Sequence, residues 1–74
     1  MVLYERLRQI RKEKSWTLGM AAQQAHIAVS FLSDVERGRT DPSIRTIMAL
    51  ARAYRMAPID LVRGTDDWEQ MPCG

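Results

Sequence analysis

The stretch Thr17–Gly38, TLGMAAQQAHIAVSFLSDVERG, decides the fold of this 74-residue chain. It begins with a helix cap, because the Thr17 hydroxyl can accept a hydrogen bond from a free N–H group in the first helical turn. Small apolar residues follow at a spacing that puts them on one helical face: Ala21, Ala22 and Ala25. The stretch therefore opens with a short helix whose small side chains let another backbone come close.

A second helix is predicted after a break at residues 26–28, His-Ile-Ala. An apolar set at helical spacing runs through this part of the chain and consists of Ile27, Phe31, Leu32 and Val35. Gly38 follows Glu36 closely, as is typical of a helix C-terminus. Two helices, a turn of about three residues and an alanine-lined crossing point predict a helix-turn-helix motif.

The composition is that of an ordinary globular protein, with 46% hydrophobic and 27% charged residues. No apolar run approaches the roughly 20 residues that span a bilayer, and the N-terminus becomes charged at Glu5 without the apolar segment of a signal peptide. The single cysteine, Cys73, cannot form an internal disulfide, which fits a reducing cytoplasm. We therefore expect one cytoplasmic domain, without a membrane partner, that is stabilised by packing.

The net charge of +2 is unevenly distributed along the chain. Residues 1–63 contain all 11 Lys and Arg and six of the nine Asp and Glu, a net charge of +5, whereas Asp66, Asp67 and Glu69 give the end of the chain −3. A basic body is compatible with a polyanionic partner. A solvated surface with a disordered end would explain the charge alone equally well.

Two longer helices are predicted on either side of the motif. The first spans residues 3–14, with Leu3, Leu7 and Ile10 as its apolar stripe, and Trp16 after it is expected to pack in the core. The other begins at the cap Ser43 and continues to about residue 55. Its apolar positions are Ile44, Ile47, Met48, Leu50, Ala51 and Tyr54.

A last short helix is predicted over Pro58–Val62, because Pro58 suits a first helical turn and Gly64 follows the end. Residues 65–74 show no periodicity, and we expect them to form a flexible acidic tail. No stretch is typical of a strand. The sequence thus predicts an all-α fold of five helices over residues 1–64, followed by a tail over residues 65–74.

The sequence resembles the lambda-repressor-like, Cro/XRE family of helix-turn-helix regulators over about residues 3–63. Besides the motif itself, three segments carry the resemblance: LRQIRKEKSWT (7–17), SDVERGRTDPS (33–43) and ALARAYRMAPIDLV (49–62). SDVERGRTDPS is the most specific of them. The resemblance implies a compact five-helix DNA-binding domain that is usually dimeric and acts on transcription.

The resemblance also implies an ion pair between Arg11, late in the first helix, and Glu36, which ends the second helix of the motif. Two partly buried charges tolerate desolvation only when they are paired and hydrogen-bonded. We therefore expect Arg11 to be structural rather than a ligand of phosphate.

Several positions depart from the family pattern. Leu18 and Gly19 stand where the family has Gln and an acid, so one contact to phosphate or base is missing. His26 replaces the turn glycine, and Ala28 replaces a serine cap, which costs about 1 kcal/mol. These changes suggest a less rigid motif with the same fold. A lone histidine without other ligands nearby gives little support to a metal site, and no cofactor is expected.

The resemblance places the second motif helix in the major groove, with its exposed side chains toward the base edges. Val29 could contact a thymine methyl group, Ser30 and Ser33 could donate or accept, and Asp34 could accept from a cytosine N4 amino group. Phe31 is either a packing residue or a contact to sugar or base methyl. The helix has no Arg, Asn or Gln for a strong bidentate contact.

Phosphate contacts are expected from the ends of the helices. Arg37 and Arg39 lie just beyond the readout helix, where they could contact phosphate or a flanking base, and we expect Arg39→Ala to weaken binding to all sequences alike. The N-termini at Thr17 and Ser43 offer backbone N–H groups to an anion, and Arg45 adds charge beside Ser43.

The favoured function is a repressor that binds a palindromic double-stranded operator as a homodimer, with an interface at Met56, Ile59 and Val62, where Trp68 could join. A restriction–modification-type controller and an antitoxin-like protein-interaction module are the alternatives. The chain could also be the DNA-binding part of a longer regulator. No catalytic constellation is visible, so an enzyme is not expected.

Overall fold

The computed structural model describes residues 2–63, which form five α-helices in the predicted order. The helices are α1 (Leu3–Glu13), α2 (Leu18–Ala25), α3 (Val29–Glu36), α4 (Ile44–Ala53) and α5 (Pro58–Val62). The prediction of an all-α fold is confirmed. The predicted tail, with Gly64 and Trp68, lies outside the described residues.

Two of the helices begin at the side-chain caps that the sequence predicts. The Thr17 hydroxyl accepts from the Met20 backbone N–H at 3.1 Å, and the Ser43 hydroxyl accepts from the Thr46 N–H at 3.2 Å. At α3, the cap residue Ala28 has no side chain that could do this. Helix α3 therefore begins without the stabilisation that a polar cap gives to α2 and α4.

The core is built from all five helices, with α2 packed against α3 and α4, and α1 packed against α3 and α5. The predicted small residues of α2 are buried at its crossings, which lets the neighbouring helices approach closely. Trp16 is half-buried against this core, with its ring centroid 5.7 Å from that of Tyr54. The buried apolar residues of the core are Leu3, Leu7, Ile10, Ala21, Ala22, Ala25, Leu32, Val35, Ile47, Leu50, Ala51, Tyr54, Leu61 and Val62.

Two of the apolar positions predicted for α4 lie outside the core. Ile44 is 69% exposed and Met48 is 51% exposed, whereas Ile47, Leu50 and Ala51 are buried. Ile44 and Met48 are four residues apart and lie on the outer face of α4. The pattern alone includes them because an apolar residue at helical spacing can belong to either edge of the buried stripe.

The first four helices end in the same hydrogen-bonded turn, the Schellman motif, in which one residue adopts a left-handed backbone conformation. In each case two N–H groups beyond the helix donate to carbonyl groups of its last turn. The left-handed residues are Ser15 (φ 59°), His26 (φ 58°), Gly38 (φ 74°) and Arg55 (φ 58°). Three of the four thus use a residue that carries a Cβ atom, at a cost that only Gly38 avoids.

Candidate nucleic-acid interface

The inner face of α3 holds the helix to the body of the protein. Leu32 and Val35 are fully buried, and Glu36 at the end of the helix is 3% exposed. The Arg11 Nε and Nη2 groups both donate to the Glu36 carboxylate, at distances of 2.9–3.1 Å. Arg11 Nη1 also donates to the Trp16 carbonyl at 2.9 Å. The ion pair implied by the family resemblance therefore forms and ties the end of α1 to the end of α3.

The environment of this ion pair also includes the ring of Tyr54. The Tyr54 hydroxyl is buried and has no hydrogen-bond partner among the described residues. Burial raises the pKa of Tyr54 to about 12; the negative charge of Glu36 adds to this shift, and the positive charge of Arg11 opposes it. The inner end of α3 is thus a poorly solvated place, where an unpaired charge is costly.

The outer face of α3 presents the side chains that were predicted to read bases. Val29 is 49% exposed and Ser30 is exposed, while Ser33 and Asp34 are half-buried. Ser33 and Asp34 follow Ser30 by three and four residues, so the three share one helical face. The four predicted readout residues are therefore accessible from outside the monomer. Phe31 is half-buried and packs against the core, as the packing alternative predicts.

The turn after α3 carries the two predicted phosphate ligands, Arg37 and Arg39, and both are exposed. The Gly38 N–H donates to the Val35 carbonyl at 3.1 Å, and the Arg39 N–H donates to the Asp34 carbonyl at 2.9 Å. These bonds fold the turn back over the end of the helix. Arg39 and Asp34 also approach through their side chains, with 4.0 Å between Nη1 and Oδ1.

The ring of Tyr4, on α1, packs closely against the same turn at Gly38. A Cβ atom at Gly38 would lie 2.9–3.2 Å from three ring atoms of Tyr4, so the ring would have to move to admit it. The turn therefore needs glycine twice, once for its positive φ of 74° and once for the close approach of the Tyr4 ring. The sequence predicts the positive φ from the position of Gly38 after the helix. Nothing in the sequence predicts the close approach of the Tyr4 ring.

The remaining predicted anion contacts are at helix starts. Thr17, Ser43 and Arg45 are exposed, and the hydroxyl groups of Thr17 and Ser43 both cap their helices.

At the predicted dimer interface, Ile59 is 39% exposed and Met56 is half-buried against the core. Val62 is 7% exposed and packs in the monomer core, so it offers a partner little surface. Its place in a dimer interface stays a prediction.

The described residues give no sign of a metal centre, because they contain no group of three or more His, Cys, Asp or Glu side chains close enough to bind one ion. Within the same part of the chain, none of the helices has both the length and the apolarity needed to cross a membrane. The exposed features that could contact a nucleic acid are the outer face of α3, the basic turn after it and the helix starts at Thr17 and Ser43.

Comparison with known proteins agrees with this geometry. A family model described as helix-turn-helix matches residues 7–61. The HTH-type transcriptional regulator DdrOP3 of Deinococcus deserti is 42% identical over all 74 residues, and the chain spans 57% of that relative's length. The relative thus matches throughout this chain but extends well beyond it.

Two solved structures have the same fold. The restriction-modification controller protein C.AhdI from Aeromonas hydrophila matches with a TM-score of 0.77 and 30% identity, covering 80% of this chain and 89% of that one. The P22 c2 repressor in complex with a synthetic operator matches with a TM-score of 0.77 and 25% identity, covering 86% and 97% respectively. One neighbour is thus a controller and the other a repressor with its operator.

Proposed function

This chain belongs to the Cro/XRE-type helix-turn-helix family of transcriptional regulators, and on that premise we propose that it is a repressor domain that binds double-stranded DNA through α3. The observation that carries the proposal is the division of α3 into two faces. Leu32, Val35 and Glu36 anchor the helix, while Val29 and Ser30 remain exposed. A helix held on one side and open on the other can enter a major groove without unfolding the domain.

The charge around α3 supports a polyanionic partner. Arg37 and Arg39 are exposed directly after the helix, and Arg45 is exposed in the first turn of α4. Arg11 does not add to this surface, because its guanidinium is bonded to Glu36 and its side chain is only 13% exposed. In this proposal, Arg37, Arg39 and Arg45 position the domain on phosphates, together with the N-termini at Thr17 and Ser43.

Base recognition falls to the outer side chains of α3. Val29 offers an apolar contact to a thymine methyl group, Asp34 accepts from a cytosine amino group, and Ser30 and Ser33 discriminate weakly. A single helix with so few strong contacts has limited specificity. We therefore propose that the protein binds as a symmetric homodimer to a palindromic operator, with half-sites about one helical turn, or ~34 Å, apart. The proposed interface is formed by Met56, Ile59 and Val62, of which Ile59 is the most exposed.

Selection of duplexes from a random pool tests this function directly. The protein is expected to enrich palindromic sequences, and its affinity for them should fall steeply as salt increases, because phosphate neutralisation supplies much of the binding energy. Arg37→Ala should weaken binding to all sequences and reduce the salt dependence. Arg52→Ala, which removes an exposed cation from α4, is the matched control and should change neither. Failure to enrich any sequence would contradict the proposal.

The assembly is tested separately by sedimentation with and without an enriched duplex. We expect two protein chains per duplex, and Ile59→Asp should reduce this to one because a charge replaces an exposed apolar contact. A complex that contains a single chain would contradict the homodimer while leaving DNA binding intact.

A second candidate is a controller that activates as well as represses. The similarity to the restriction-modification controller C.AhdI, at 30% identity, favours it. Transcription in vitro from a promoter that contains the enriched sequence distinguishes the two functions. A repressor only lowers transcript levels, whereas a controller raises them over part of its concentration range.

A further inference from the structure

The end of the recognition helix differs from the other three Schellman turns of the molecule. This turn brings the second residue beyond the helix next to the first residue of the last helical turn, and a hydrophobic contact usually joins the two. At α1, α2 and α4 that second residue is Trp16, Ile27 or Met56, and each is half-buried against the core. At α3 it is Arg39, which is exposed.

The same geometry places Arg39 beside an acid on the readout face. Its N–H donates to the Asp34 carbonyl at 2.9 Å, and its Nη1 lies 4.0 Å from Asp34 Oδ1. The side chains are 67% and 49% exposed, respectively. The separation is within ion-pair range but too long for a hydrogen bond, so the acceptor positions of the Asp34 carboxylate remain available to a ligand.

From this contact, and on the basis of the function proposed above, we propose that Arg39 determines base specificity by acting through Asp34. An unpaired carboxylate is repelled by the phosphates that line a DNA groove. A guanidinium held next to it offsets that repulsion and lets Asp34 approach a base edge. Arg39 is thus a positioning residue, and the two side chains form one readout unit in place of the hydrophobic contact of the other helix ends.

The proposal replaces the simpler expectation that Arg39 contacts phosphate alone. A phosphate ligand affects all sequences by the same factor. A residue that positions Asp34 also affects the preference at the base pair that Asp34 reads. Arg37 is the matched cation, because it lies two residues away in the same turn and has no ion-pair partner among the described residues.

The test combines random-pool selection with a double-mutant cycle. Selection at one salt concentration is carried out with wild type and five variants. The variants are Asp34→Asn, Arg39→Ala, Arg39→Lys, Arg37→Ala and the double variant Asp34→Asn/Arg39→Ala. Their affinities are then measured by fluorescence anisotropy on the wild-type consensus duplex and on duplexes changed at single positions. Thermal melting of each variant checks that these exposed substitutions leave the fold intact.

We expect Asp34→Asn and Arg39→Ala to alter preference at the same base position. Arg39→Ala should reduce discrimination there by about tenfold, and Arg39→Lys, which keeps the charge, should restore most of it. In the Asp34→Asn background, removal of Arg39 should have about a fivefold smaller effect on affinity for the consensus duplex. Arg37→Ala should lower all affinities without changing any preference.

Three outcomes would overturn the proposal. Arg39→Ala could weaken every duplex by one factor, additively with Asp34→Asn, which would make Arg39 a phosphate ligand only. Asp34→Asn could leave every preference unchanged, which would remove Asp34 from readout while the proposed function stands. A wild-type protein that enriches no sequence would refute the proposed function, and this inference with it.

Discussion

Two ion pairs on α3 have the same chemistry and opposite surroundings. Glu36 pairs with Arg11, and their side chains are 4% and 13% exposed, whereas Asp34 pairs with Arg39, and theirs are 49% and 67% exposed. The two acids are two residues apart, so they point to opposite sides of the helix. The inner pair connects helices of the fold, and the outer pair faces the proposed ligand. Burial, rather than residue type, thus separates a charge that holds the fold together from one that is open to a ligand.

The largest expected effect comes from breaking the inner pair. Arg11→Met should lower the free energy of unfolding by about 3 kcal/mol, because it leaves the Glu36 carboxylate buried without its partner. Arg39→Ala, the matched change in the outer pair, should alter stability by less than about 0.5 kcal/mol. Urea denaturation of both variants measures the difference. An Arg11→Met protein of wild-type stability and weakened DNA binding would reverse the two assignments.

Alkaline titration probes the same inner environment through Tyr54. Its pKa is raised to about 12 in the folded protein from an ordinary value of 10.0, so the unfolded chain ionises first as pH rises. The stabilisation that Tyr54 adds to the free energy of unfolding is therefore fully present below about pH 10. It is lost between about pH 10 and 12, and the total loss is about 2–3 kcal/mol. Denaturation of wild type and Tyr54→Phe across this range isolates the effect. Parallel stability curves for the two proteins would contradict it.

The turn that carries Arg39 should be sensitive to any side chain at its centre. Gly38→Ala is expected to cost about 2 kcal/mol, since it combines a left-handed backbone with a clash against the Tyr4 ring. Gly19→Ala is the control: its Cβ atom would meet the Thr17 hydroxyl at 3.8 Å, an ordinary contact. That change should stabilise α2 by about 0.5–1 kcal/mol.

A second substitution separates the two causes at Gly38. Tyr4→Ala removes the ring, so Gly38→Ala in that background should cost only the backbone part, about 1 kcal/mol. The free energies of unfolding of the four proteins in this cycle give the coupling directly. If the two changes were additive, the Tyr4 ring would not constrain the turn.

The helices and the inner pair could be predicted from the sequence, while the outer pair could not. Helix starts follow from local chemistry, as at Thr17 and Ser43, and the Arg11–Glu36 pair follows from a family pattern. The Asp34–Arg39 contact depends on a Schellman turn closing after α3, which the position of Gly38 suggests but does not fix. The exposure of Ile44 likewise depends on how α4 is rotated against its neighbours. Periodicity identifies the buried stripe of a helix but does not locate the edges of that stripe.

The smallest expected effect concerns the helix ends that lack glycine. Arg55 has a φ of 58° and an exposed side chain, so Arg55→Gly should remove left-handed strain without loss of a core contact. The strain of about 1–2 kcal/mol exceeds the entropy that glycine adds to the unfolded chain, about 0.5–1 kcal/mol, so stability should rise by about 0.5–1 kcal/mol. Arg63 is also exposed but has an extended backbone, with φ −61° and ψ 136°. Arg63→Gly therefore relieves no such strain and should lose stability. Thermal melting of the two variants compares them. An Arg55→Gly protein that melts below wild type would mean that the α4 turn gains more from its arginine than the backbone geometry indicates. A stabilised Arg63→Gly protein would mean that the effect of glycine does not depend on a left-handed φ.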